Sequence, residues 1–371
     1  MKSISLKIYH KMKKFNQIYN AILQINLKNI ENNYNYLKKN APNTIIAACV
    51  KANSYGLGSN EICKALYKKN CRNFFVATLE EALLLRRKYK YVNIYMLNGV
   101  NHLKSFFDAF NSNIITVINN IDQFLVLKNF FKINKKKIKC CLHFDTGMNR
   151  LGLKVKDFDK YIYPFKKNLD IKLVISHLIN SENKSVLNYN QLKSFNDIKK
   201  KFNFSKKTLF SLGNSNSIFI KTNFHFDMIR AGGFIYGLEL KKKIRSKNVL
   251  SLKAKIIQIE SVKKGKSIGY GAKYITKKDS IIATLAIGYA DGLPRKYDGF
   301  VFYKNKKIKF VGNVSMDLSC IDVSSVKNPE INDWVEIFGD NISISAFASK
   351  CNTITYEVSS KIGLRVKRIY N

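Results

Sequence analysis

In a chain rich in lysine, one of them, Lys51, stands apart: the apolar run TIIAACV (residues 44–50) ends and KANSYGLG follows. An amine at such a boundary can be desolvated, which makes it nucleophilic toward a carbonyl carbon, the chemistry of a Schiff base. The plainer reading is one more solvated surface lysine. Other reactive or small residues also follow apolar runs. They are Arg150 in DTGMNRLG, His177 in IKLVISHL, Asn214 and Ser215 in GNSNS, and Arg230, Gly232 and Gly233 in IRAGG.

The elements that must position them can be read from the pattern. Eight short apolar runs recur with amphipathic stretches between them: 44–50, 73–77, 92–97, 114–118, 138–144, 171–178, 208–212 and 226–236. That alternation predicts parallel strands with crossover helices. One helix start is explicit, since Thr78 followed three residues later by Glu81 forms a capping box opening LEEALLLRRKY. Beyond about residue 246 the pattern turns to long strand-like runs, such as LSLKAKIIQIESV and SIIATLAIGY, with no convincing helix before the C-terminal stretch. The fold expected is α/β, a TIM (β/α)8 barrel followed by a C-terminal mostly-β domain. Its parts would be an N-terminal extension (1–18), a barrel (19–245) and a β domain (246–371), with the polar stretch GLELKKKIRSKN at the boundary.

In such a barrel, reactive groups sit on loops at the C-terminal ends of the strands, and phosphate is bound after strands seven and eight. Ser215 and Gly232 are small and fall there. Lys51 facing a phosphate pocket would suit pyridoxal phosphate, although position in a fold is a weak warrant and the surface-lysine reading stays open on position alone.

Composition bounds the rest. With 371 residues and 46% hydrophobic content the chain can bury one large core or two medium ones. No stretch approaches the roughly 18 apolar residues of a membrane span. Seven cysteines are scattered without CxxC or metal-ligand spacing, which indicates neither a disulfide framework nor a metal site and fits a reducing compartment. The net charge of +40 raises nucleic acid or an anionic membrane as partners. The basic runs are short and dispersed, however, and Lys, Asn, Ile, Phe and Tyr are abundant together, as A/T-rich codons would produce; solvated loops are the expectation. Residues 1–18 carry lysines and no acid, which loosely resembles a transit peptide, while Met12 is an equally good start. An untidy N-terminus is expected rather than an import signal.

Six strings occur in order: VKANSYGLG, DTGMNRLG, MIRAGGFIYG, SIGYGAKY, IGYADGLPR and SMDLSCIDV. Over residues 20–371 this series resembles the alanine racemase family. The resemblance implies a cytoplasmic enzyme that interconverts L- and D-alanine with pyridoxal phosphate, supplying D-alanine for peptidoglycan. It implies that Lys51 carries the cofactor and is one of two catalytic bases, Tyr270 being the other. Arg230 would donate to the pyridine nitrogen, and His177 would face the ring and Arg230. Tyr55, Ser215, Gly232 and Tyr356 match phosphate-binding positions, with Asn214 and Gly233 beside them. Arg150 would reach the substrate carboxylate, and Tyr289 and Met316 would line the substrate entrance, supported by Asp317; an ordinary Arg150–Asp317 ion pair is the duller reading. The Tyr270 and Met316 edge would come from a second subunit, so a homodimer with shared sites is implied, with no specific nucleic acid and no membrane as partner. His143 departs from the family, standing where many members have a lysine that can be carbamylated. Ser315 replaces a frequent cysteine and Ala231 a frequent proline. A related barrel decarboxylase is disfavoured because its histidine-rich glycine motif is absent, and a non-catalytic cofactor-binding module because such proteins resemble the barrel alone.

Overall fold

Strands buried on both faces need large residues inside and out, and those of the first two-thirds of the chain supply them. Ala47, Phe75, Tyr95, Val117, Cys141, Leu173 and Met228, from successive strands, form one buried cluster, in which the Phe75 and Tyr95 rings stack with centroids 4.6 Å apart. The computed structural model describes residues 18–238 and 246–371, so most of the expected N-terminal extension, Met12 included, and the lysine-rich part of the boundary stretch lie outside the described residues. These fall into two compact units, one of residues 30–236 and 246 and one of 18–29, 237–238 and 247–371.

The first unit is the barrel. Its strands are β2 (Ile45–Cys49), β3 (Asn73–Val76), β4 (Asn93–Met96), β5 (Ile115–Ile118), β6 (Ile138–His143), β7 (Leu169–Ile175), β8 (Leu209–Ser211) and β9 (Met228–Ala231), preceded in the chain by β1 (Ala21–Ile25). They pair in parallel in the order β8-β7-β6-β5-β4-β3-β2-β9. The two ends meet through Asp227 N donating to Phe210 O (3.0 Å), Arg230 N to Gly213 O (3.1 Å) and an Asn214–Arg230 bridge, which closes the ring. Helices α1 (Leu27–Asn40), α2 (Ser59–Lys68), α3 (Leu79–Lys88), α4 (Leu103–Asn111), α5 (Ile121–Asn134) and α6 (Val186–Lys201) alternate with the strands. The capping box of Thr78 and Glu81 opens α3 as its spacing predicts. Between β6 and β7 the crossover is a run of short irregular turns (Val155–Asp157, Phe158–Ile162, Tyr163–Asn168), and between β8 and β9 two 3-10 turns suffice.

The second unit is built on β10 (Leu250–Val262), a 13-residue strand. The remaining strands are β11 (Ser267–Ile268), β12 (Tyr274–Ile275), β13 (Ser280–Leu285), β14 (Phe300–Tyr303), β15 (Lys306–Val311), β16 (Ser319–Asp322), β17 (Trp334–Phe338) and β18 (Lys367–Tyr370). The large sheet runs β13-β16-β15-β14-β17-β10-β1-β18, and β10 also pairs with β13. Helices α7 (Ile344–Lys350) and α8 (Thr355–Ser360) follow β17. One boundary differs from expectation. Residues 19–29 were assigned to the barrel, yet β1 pairs antiparallel with β10 and parallel with β18 in the second unit. The pentapeptide AILQI is apolar enough to be covered on both faces, and pairing it there covers edges that β10 and β18 would otherwise expose.

Candidate functional site

Lys51 follows β2 directly, and the chain then does something unusual. Ala52, Asn53, Ser54 and Tyr55 have φ of 51°, 53°, 55° and 58°, a full turn of left-handed helix made without a glycine. Each such residue costs roughly 1–2 kcal/mol, so the turn persists only because its surroundings over-determine it. Inside it, Ser54 N donates to Val50 O (2.9 Å) and Gly56 N to Ala52 O (2.8 Å). Ser59 N donates to Asn53 Oδ1 (2.8 Å), and from the neighbouring βα unit the Glu81 carboxylate accepts Ala52 N (2.5 Å). The glycines after it are required by conformation: Gly56 and Gly58 have φ of 86° and 102°.

Around the barrel mouth from Lys51 lie Arg230 and His177. Arg230 is 6% exposed. Its Nη1 donates to Ser211 O (2.7 Å) and Ser211 Oγ (2.6 Å), while Nη2 donates to Ser176 O (2.5 Å) and approaches His177 Nδ1 at 3.4 Å. Among the described residues no partner is recorded for its Nε. Burial first, then the guanidinium of Arg230, pushes His177 down to about 3, so its imidazole is neutral. His143 is pushed down to about 4 for the same two reasons, and its Nδ1 lies 2.8 Å from Asn119 Oδ1. Asn119 Nδ2 donates to Leu97 O (2.9 Å), which turns its oxygen toward the histidine.

After β8 and β9 comes a cradle of small groups. Gly232 N donates to Ser215 Oγ (3.0 Å), leaving that hydroxyl's own proton for another acceptor. A Cβ on Gly232 would lie 2.7 Å from Tyr55 Oη, so any side chain there would have to displace the Tyr55 ring. Tyr55 at the end of the left-handed turn, Ser215 and Gly232 therefore meet. Gly233 follows in a turn, and Asn214 is occupied in capping: its Oδ1 accepts Asn216 N and Ser217 N, and its Nδ2 donates to Ser181 Oγ (2.6 Å). Arg150 is exposed on the loop after β6. That loop is shaped by Asp145, whose carboxylate accepts Gly147 N (3.0 Å), Asn149 N (3.1 Å) and Lys154 Nζ (2.6 Å). Burial alone would raise the Asp145 carboxyl, but Lys154 and the two N–H groups bring it down to about 2.

The second unit carries the remaining candidates. Tyr270 lies on the hairpin turn between β11 and β12, 70% exposed, with Asn313 Nδ2 donating to its carbonyl (3.0 Å). Tyr289 and Met316 are joined through backbone, Tyr289 N donating to Ser315 O and Ala290 N to Met316 O, both 3.0 Å. Gly288 permits this approach, since a Cβ there would lie 2.2 Å from Met316 O. Asp317 pairs within its own unit with Arg365: Arg365 Nη1 donates to Asp317 Oδ1 (2.7 Å) and Nε to Asp291 Oδ1 (3.1 Å). Tyr356 is half-buried in α8.

Four residues that hydrogen-bond to the candidate residues or their neighbours have no part in the reading from sequence as such: Glu81, Asn119, Ser211 and Arg365. Glu81 was read only as half of a capping box. Ser211 and Asn119 gave no local signal, because what they hold is distant in sequence. The described residues contain no group of side chains able to hold a metal ion, and no helix long and apolar enough to cross a membrane.

Known proteins resemble this chain in sequence and fold. The alanine racemase N-terminal domain matches residues 25–240 and the C-terminal domain residues 249–370. An alanine racemase of Rickettsia africae (strain ESF-5) is 39% identical over 355 residues, spanning 94% of this chain and 98% of that one. Among solved structures, alanine racemase from Bartonella henselae with covalently bound pyridoxal phosphate superposes with a TM-score of 0.90 at 34% identity, covering 95% of this chain and 99% of that one. The biosynthetic alanine racemase of Pseudomonas aeruginosa does so with 0.87 at 29%, covering 95% and 100%. The chain belongs to the alanine racemase family.

Proposed function

We propose that this protein interconverts L- and D-alanine, using pyridoxal phosphate held at Lys51. The observation that carries the reading is the cluster at the barrel mouth, where Lys51 opens a strained turn whose last residue, Tyr55, abuts Gly232 beside Ser215. Those residues fit the phosphate: the Ser215 hydroxyl has a proton to donate, and the missing side chain at Gly232 lets backbone approach an anion. Arg230 fits the pyridine nitrogen, since Nη1 and Nη2 are anchored to the barrel and Nε is the donor that remains. A guanidinium does not give up its proton, so it would hydrogen-bond the ring without protonating it.

When bound, the cofactor supplies an electron sink that acidifies the substrate Cα–H. Lys51 Nζ takes or returns that proton on one face, for the D-enantiomer, and Tyr270 Oη does so on the other, for the L-enantiomer. Arg150 binds the substrate carboxylate, and Tyr289 and Met316 restrict the entrance. His177, neutral and held by Arg230, faces the ring.

The exposure of Tyr270, Met316 (54%) and Tyr289 (41%), residues that act only if something covers them, supports a homodimer. A second copy of the chain is that cover. D-alanine for peptidoglycan, made in the cytoplasm, is the role that fits.

The test is interconversion of L- and D-alanine by purified protein with and without added pyridoxal phosphate, alongside Lys51→Ala and Tyr270→Phe. Cofactor-dependent racemisation lost in Lys51→Ala supports the reading; a protein that takes up no cofactor at Lys51 overturns it.

A further inference from the structure

We propose that Glu81 is a positioning residue for Lys51: its carboxylate staples the left-handed turn to the neighbouring strand and so fixes where the lysine amine points. The proposal rests on the function proposed above. Its two oxygens do different work. Oε1 accepts the N–H of Ala52, the residue directly after Lys51, at 2.5 Å; Oε2 accepts Ala77 N at 2.8 Å and Thr78 N at 3.4 Å, at the end of β3.

A left-handed turn, like a right-handed helix, leaves its first N–H groups without partners of its own. Ala52 N is such a group, and Glu81 is what satisfies it. The ionised carboxylate suits the task because it only accepts, and bonds from N–H groups to a charged acceptor are the stronger kind. Packing does not share the burden on that side. A cavity of about 350 Å³ borders the turn, lined by Val50, Asn53, Leu84, Leu85 and Tyr89 together with Glu81 itself. Without that bond, Ala52 at the head of the turn loses the acceptor that holds its positive φ, while the bonds of Ser54, Gly56 and Asn53 keep the rest of the turn. Lys51 directly precedes Ala52.

The competing view makes Glu81 only the capping-box partner of Thr78 in α3. Two substitutions separate them. Glu81→Gln keeps an acceptor for the helix cap, since Gln serves in that box, but sets an amide N–H2 against one of the N–H groups the carboxylate held. Thr78→Ala breaks the box and leaves the staple. In the full chain, cofactor affinity is read by absorbance titration of the cofactor-free protein with pyridoxal phosphate, thermal stability of that protein by melting, and kcat and KM with alanine.

Glu81→Gln is expected to weaken cofactor binding about tenfold or more and to lower kcat with KM nearly unchanged, with little change in Tm. Thr78→Ala is expected to lower Tm and leave cofactor affinity as it was. Glu81→Gln that binds the cofactor as wild type does, or Thr78→Ala that loosens it equally, overturns the staple while leaving the proposed function standing. Wild-type protein that takes up no cofactor at Lys51 overturns both.

Discussion

Arg230 Nη2 lies 3.4 Å from His177 Nδ1, and since a guanidinium only donates, Nδ1 must be the acceptor and the ring proton sits on Nε2. The hydrogen-bond network fixes this tautomer. It agrees with the depressed pKa, because protonating Nδ1 would set one N–H against another.

Stability against acid follows from it. His177 and His143 titrate near 3 and 4 when folded but near 6.5 when unfolded, so the unfolded chain binds protons first as pH falls. Their contribution is fully present above about 6.5 and is lost below it, at up to roughly 1.4 kcal/mol per pH unit for each ring. The loss ends near 4 for His143 and near 3 for His177. Urea unfolding of cofactor-free protein between pH 7 and about 4.5 should show a shallower pH slope for His177→Asn than for wild type. Coincident slopes would show that His177 is not held neutral.

Gly232→Ala should weaken cofactor binding far more than it lowers Tm. The new Cβ would lie 2.7 Å from Tyr55 Oη and 3.1 Å from Tyr55 Cζ, so the ring must move out of the cradle. Adding Tyr55→Phe removes the closer contact and should restore part of the affinity, a non-additive pair expected of residues in contact. If the double variant binds more weakly than the sum of the singles, the clash is not the cause.

What the sequence could show about this site depended on how local each device is. The eight barrel runs and the Thr78–Glu81 box were legible because strand burial and helix capping are written within a few residues. The β1 strand was misassigned because AILQI looks the same in either unit, and only its pairing with β10 and β18 decides. Lys51, Arg230 and Gly232 were identified through short strings, yet the reasons for them were not visible there. The left-handed turn contains no glycine to announce it, and the anchors of Arg230, Ser176 and Ser211, lie 54 and 19 residues away.

Arg365 offers a test of the proposed substrate entrance. It bridges Asp291, whose Oδ2 accepts Gly288 N at 2.9 Å ahead of Tyr289, and Asp317, beside Met316. Arg365→Ala should loosen both residues at once, raising KM for alanine several-fold, with a modest fall in Tm because the exposed Asp317 pair adds little stability while the buried Asp291 carboxylate loses a partner. Larger amino acids should gain relative to alanine, as a mobile entrance excludes them less. An unchanged KM together with unchanged selectivity would leave the bridge with no part in substrate entry.

Subunit mixing tests whether the two proposed bases come from different copies of the chain. Tyr270 is exposed on the second unit and Lys51 opens a turn in the barrel. If each site takes Lys51 from one copy and Tyr270 from the other, a mixed dimer of Lys51→Ala and Tyr270→Phe chains contains one site with both bases intact and one with neither. Random exchange of equal amounts makes about half of all dimers mixed, so about a quarter of all sites should recover, as expected of a closed two-fold pair. Sites contained within one chain give a different result, because every site then lacks one base however the chains associate. Activity should therefore rise on mixing only after conditions that allow exchange, and should track the fraction of mixed dimers measured by native mass spectrometry. Mixed dimers without activity would place both bases in the same chain.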